Sequence, residues 1–161
     1  MKRILIPTDY TPESLQLIEY AFLNFPDTRL DIVLLAGCKM FESKWRIMHF
    51  TPQDFIYQQM NDEFIQEKRH MILEHKGQLG QIQFELFTGS NSFAFQNFLL
   101  TLDADTAVLP DDGVLMNPDR KWFDTTSYLR KSVANIIQAP VERRNNQPAR
   151  QQTLFNSLFD L

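Results

Sequence analysis

Apolar and polar positions alternate along this chain with two different periods, and the periods take turns. Ile4-Leu5-Ile6 is a short apolar run, which predicts a strand buried on both faces. Thr11 and Pro12 then give a helix start, with a capping residue type followed by the imino acid favoured at the first helical position. Leu15, Ile18, Phe22 and Phe25 follow at helical spacing, and Pro26-Asp27 stops them. Asp31-Ile32-Val33-Leu34-Leu35-Ala36 predicts a second buried strand ending at Gly37. Thr51-Pro52 repeats the cap-plus-proline start. One long helix is expected after it, with Ile56, Met60, Phe64, Met71 and Ile72 along one side and a break at Gly77.

The period changes again at Ile82-Gln83-Phe84-Glu85-Leu86-Phe87, where strict alternation predicts a strand with one exposed face near a sheet edge. Gly89-Ser90 leads into a helix carrying Phe95, Phe98, Leu99 and Leu102. Thr106-Ala107-Val108-Leu109 is a fourth strand, residues 111–124 a long loop, and Leu129, Val133, Ile136 and Ile137 a last helix. Ala139-Pro140-Val141 predicts a weak fifth strand that runs into Glu142-Arg143-Arg144. Strands alternating with helices predict an α/β fold, a parallel sheet sandwiched by helices. The domain is expected over residues 1–144. Residues 145–161 are expected to be a polar linker and a short amphipathic tail with Leu154, Phe155, Leu158, Phe159 and Leu161.

Composition narrows the class. The 161 residues suit one domain, and 43% hydrophobic with 22% charged residues is globular. No apolar run is long enough for a bilayer and no signal-peptide pattern opens the chain, so no membrane association is expected. The single cysteine, Cys38, excludes an internal disulfide and fits a cytoplasmic location. A net charge of −4 argues against nucleic acid as a partner, since phosphate neutralisation needs clustered Lys and Arg.

With these elements in order, the chain resembles the universal stress protein family. Arg3-Ile4-Leu5-Ile6-Pro7-Thr8-Asp9-Tyr10-Thr11 is close to the family's opening. The strand at 31–35, the run from Phe87-Thr88-Gly89 to Asp103-Ala104-Asp105 and Val108-Leu109, and the ending Ile137-Gln138-Ala139-Pro140-Val141 also fit. The resemblance spans residues 2 to about 142. It implies a five-stranded parallel sheet of the Rossmann-like, adenine nucleotide alpha hydrolase-like kind, a homodimer, and a role in the stress response.

In the family's ATP-binding branch an acid ends the first strand, and Asp9 matches it. A Gly-x-x-Gly spacing, nine further residues and Gly-Ser/Thr then cradle the phosphates. Here the corresponding stretch is Pro110-Asp111-Asp112-Gly113-Val114, leading to Asp124-Thr125-Thr126-Ser127, and Gly113 is its one glycine. Glycines let backbone amides approach phosphate, whereas carboxylates repel it. The resemblance therefore implies a degenerate nucleotide-binding site and a regulatory or protective protein that acts by binding, not an enzyme. No cofactor is expected, and ATP or AMP stays open only through the atypical loop.

Ligands of open parallel sheets gather at the carboxyl ends of the strands. The candidate ligand-binding residues are therefore Asp9, Gly37, Asp111, Gly113, Thr125, Thr126 and Ser127. Asp9, Gly37 and Asp111 are expected to converge. Asp9 reads equally well as a ribose or base contact and as a turn residue accepting backbone amides. Asp9, Asp111 and Asp112 are oxygen donors of the type Mg²⁺ takes, but a capping or solvated role suits the loop acids better. His49, His70 and His75 lack metal-ligand spacing, so no metal is expected, and no nucleophile motif or carboxylate pair supports a catalytic residue. Two alternatives stay open: a genuine nucleotide or small-ligand binder that uses Asp9 and the 124–127 helix start with an atypical loop, and a protein-interaction module working through the C-terminal tail.

Overall fold

The computed structural model describes residues 2–39, 52–89, 91–111, 115 and 122–141. Its strands are β1 (Lys2–Pro7), β2 (Leu30–Cys38), β3 (Leu79–Phe87), β4 (Thr106–Leu109), β5 (Trp122–Phe123) and β6 (Asn135–Gln138). Its helices are α1 (Gln16–Asn24, entered through a 3-10 turn at Pro12–Leu15), α2 (Pro52–Gln59), α3 (Asp62–Glu74), α4 (Ser92–Leu102) and α5 (Thr126–Ser132). Five strands run parallel in the order β3-β2-β1-β4-β6, and β5 joins β2 antiparallel. This is the expected α/β sandwich. The chain builds outward from β1 to β3, then crosses back to β4 on the other side of β1. The strand order therefore reverses between β1 and β4, where the carboxyl ends splay into a crevice.

Period-2 alternation sorts the strand side chains between two cores. Ile4, Ile6, Ile32, Leu34 and Val108 face α1 and α3, meeting Ile18, Phe22, Phe64 and Met71. Leu5, Val33, Leu35, Ala107 and Leu109 face α4 and α5, meeting Phe95, Leu102 and Leu129. β1 and β2 are covered on both sides and read as unbroken apolar runs. β3 lies at the sheet edge, and its half-buried interior positions account for the alternation seen in its sequence.

Three expectations about elements need correction. The long helix predicted after Thr51-Pro52 is two helices. Asn61 adopts an extended conformation and its side-chain oxygen accepts from the Phe64 amide at 2.8 Å, which starts α3 afresh. Ile72 is then partly exposed (37%), off the core face. The last helix ends at Ser132, with Val133 already extended. Ile136 and Ile137 lie in β6, paired to Ala107 and Val108, so the fifth parallel strand precedes Val141. The 111–124 stretch is also not all loop, because Trp122 and Phe123 pair with Cys38 and Gly37. The tail at 145–161 and Gly113 lie outside the described residues.

Candidate functional site

The crevice is built from the turn that follows β1. β1 ends at Pro7, opposite Leu35, while β2 continues three residues further to Cys38. The chain then turns sharply, with Tyr10 in the left-handed region at φ 61°. Side chains hold that turn. The Tyr10 amide donates to Thr8 Oγ1 at 3.1 Å, and the Ser14 hydroxyl donates to the Thr11 carbonyl at 2.8 Å. The Thr8 hydroxyl is thus left as donor across its 2.9 Å contact with Ser14 Oγ. Asp9 Oδ1 accepts from the Thr11 amide at 3.2 Å and from the Thr11 hydroxyl at 2.5 Å. This is the self-bonded turn for which aspartate is suited.

The same device recurs opposite. Asp124 Oδ1 accepts from the Thr126 amide at 2.9 Å and the Thr126 hydroxyl at 2.6 Å, at the head of α5. Both acids line one opening, together with Thr8, Leu115, Trp122 and Phe123, and its volume is only about 10 Å³. β5 lies along β2 in the space beyond the end of β1. There Trp122 meets Tyr10 edge to face at 5.4 Å, and Tyr10 in turn packs on Phe64 and Phe84 at 6.2 and 6.5 Å. Burial pushes the Tyr10 phenol well above its usual range, and electrostatic interaction with Cys38 adds to the shift.

The residues proposed from sequence are thus divided. Asp9 lines the opening, and Gly37 lies under the Phe123 ring. Asp111 does not join them, against expectation. It is exposed, and its Oδ1 accepts from Gln138 Nε2 at 2.7 Å, which ties it to β6. Gln138 also accepts from Arg130, whose second nitrogen donates to the Pro110 carbonyl. Thr125 and Thr126 are buried. Ser127 is exposed and borders an open groove of about 530 Å³ with Lys39, Ser92, Tyr128 and Lys131, which shares Phe123 and Asp124 with the small opening. Sequence reasoning missed Trp122 and Phe123 as crevice residues, since a two-residue strand has no periodicity to detect.

No family model matches the sequence, and no curated protein matches it. Solved structures do match in fold. Hypothetical protein MJ0577, solved as a test case of structural genomics, superposes with a TM-score of 0.50 at 13% identity, covering 90% of this chain and 98% of that one. A universal stress protein family protein from Arabidopsis thaliana with AMP bound gives 0.48 at 11% identity, over 94% and 99% of the two chains. The universal stress protein from Lactobacillus plantarum gives 0.45 at 14%, over 88% and 97%. The fold shared with MJ0577 is a Rossmann-like α/β sandwich, a five-stranded parallel sheet flanked by helices. Among the described residues no helix is long and apolar enough to cross a membrane.

Proposed function

We propose that this chain is a universal stress protein-like regulatory or protective protein that acts by binding, without catalysis, and whose switch-point crevice does not take ATP or AMP. One observation carries the reading: β5 places Trp122 and Phe123 beside β2 where β1 has ended, leaving an opening of about 10 Å³. An adenine ring needs a slot many times that size, since ligand pockets run to roughly 300–1,000 Å³. The Asp9 and Asp124 carboxylates at its rim add repulsion towards phosphate. The bound AMP of the Arabidopsis thaliana protein belongs to that protein. A homodimer in the cytoplasm is part of the same proposal, and sedimentation velocity tests the dimer.

Titration calorimetry with ATP and AMP, with and without Mg²⁺, on nucleotide-free protein tests the reading. The expected result is no binding at millimolar nucleotide. Micromolar binding that is lost in Asp9→Ala would overturn it.

The groove bordered by Lys39, Ser92, Ser127 and Lys131 favours a second reading, a small anionic ligand held beside the small opening by the two lysines, against the Asp124 carboxylate that the groove and the opening share. Binding of inorganic phosphate or AMP that survives Asp9→Ala but is lost in the Lys39→Ala, Lys131→Ala double variant would support it.

A further inference from the structure

Glu19 on α1 and His75 at the end of α3 are 56 residues apart in sequence, yet His75 Nε2 lies 3.1 Å from Glu19 Oε2. Glu74, the last residue of α3, completes a set of three ligand atoms that all lie within 4.8 Å of one another. The imidazole is held in place by Phe22, on which it stacks at 4.1 Å between centroids and 17° between planes. With the ring fixed in that stack, Nε2 is presented to the carboxylates.

One imidazole and two carboxylates are donors that zinc accepts, at about 2.0–2.2 Å in tetrahedral geometry. That geometry sets ligand atoms roughly 3.3–3.5 Å apart. The His75–Glu19 separation is already close to this, and Glu74, with its side chain 50% exposed, needs only a side-chain adjustment to close the rest. The helix end favours a cation as well, against Arg29, which borders the same groove. Glu74 occupies the negative end of the α3 dipole, and no basic residue stands in the last turn. With two carboxylates and a helix carboxyl end together, a divalent ion would relieve their mutual repulsion. A groove of about 520 Å³, bordered by Arg29, Glu74, His75 and Gln78, opens beside the cluster and gives a fourth ligand such as water a route in. The competing arrangement is two separate pairs, His75 with Glu19 and His70 with Glu74 at 3.0 Å.

We propose that Glu19, Glu74 and His75 form a divalent metal site of the zinc type that clamps α1 to the end of α3. The site lies on the α1/α3 side of the sheet and is independent of the nucleotide reading.

Zinc titration of the metal-free protein, in competition with a chromogenic chelator, tests it. The expected result is one equivalent bound, with a rise in melting temperature on adding zinc. Glu19→Gln and His75→Gln should each weaken binding at least about tenfold, a loss that supporting residues alone can cause in metal sites. His70→Gln should leave affinity within about threefold. Zinc binding retained in Glu19→Gln and His75→Gln, loss only in His70→Gln, or no binding at all would overturn the proposal. If a variant does not fold, anomalous diffraction at the zinc edge from wild-type crystals decides it. A peak between the three side chains supports the site, and a peak elsewhere or none contradicts it.

Discussion

Gly37 and Phe123 are fitted to each other so closely that a Cβ on Gly37 would lie 2.5 Å from Cε2 of the Phe123 ring. Real carbon atoms do not approach so near, so the glycine is what lets β5 pair with β2. Gly37→Ala is expected to destabilise the fold by about 1–3 kcal/mol, as overpacking does. Urea unfolding of Gly37→Ala, Phe123→Leu and the double variant checks this. The double variant should lose less than the sum of the single changes, because the smaller side chain gives the methyl group room.

Tyr10 carries a pH signature. Its phenol ionises in the unfolded chain near pH 10, whereas burial raises that pKa in the folded state. The folded protein then holds its proton more tightly than the unfolded one. Stability from Tyr10 is complete below pH 10 and falls as pH rises above it, by at most about 1.4 kcal/mol per pH unit. Comparing unfolding of wild type and Tyr10→Phe from pH 8 to 11 should show a steeper alkaline loss in the wild type. Parallel curves would place the phenol in contact with water.

Asn61 and Asn91 each accept an amide hydrogen bond at 2.8 Å, from Phe64 and Ala94, at the starts of α3 and α4. Removing either side chain leaves a helix amide without its partner. Asn61→Ala and Asn91→Ala should each cost about 1 kcal/mol in chemical denaturation, and their effects should add, since they share no partner.

Much of this architecture is legible in the sequence because it depends on local period. Ile4-Leu5-Ile6 and Ile32-Val33-Leu34-Leu35 are continuous because they are covered by helices on both faces, and Gln83 and Glu85 mark β3 as an edge. What stayed hidden is what depends on distant partners. Ile136 and Ile137 continue the helical spacing of Leu129 and Val133, and only pairing with β4 makes them a strand. Asn61 interrupts an apolar stripe that would otherwise run through it. Trp122 reveals its place only through Cys38 and Tyr10, and His75 only through Glu19. Asp9 lines the small opening at the end of β1, where the turn signal Asp9-Tyr10-Thr11 places it. Asp111 was misplaced because its partner, Gln138, sits on a strand that sequence reasoning had drawn as helix.

The central claim is that aromatic side chains occupy the switch-point crevice, and Trp122 can report on this directly. The chain has two tryptophans, so Trp45→Phe leaves Trp122 as the single emitter. Its emission and acrylamide quenching, followed through a titration with ATP or AMP to millimolar concentration, form the most direct test. The account predicts partly shielded emission that nucleotide does not change. A saturable change at micromolar nucleotide would show that ligand displaces or covers Trp122, and would contradict the closed crevice.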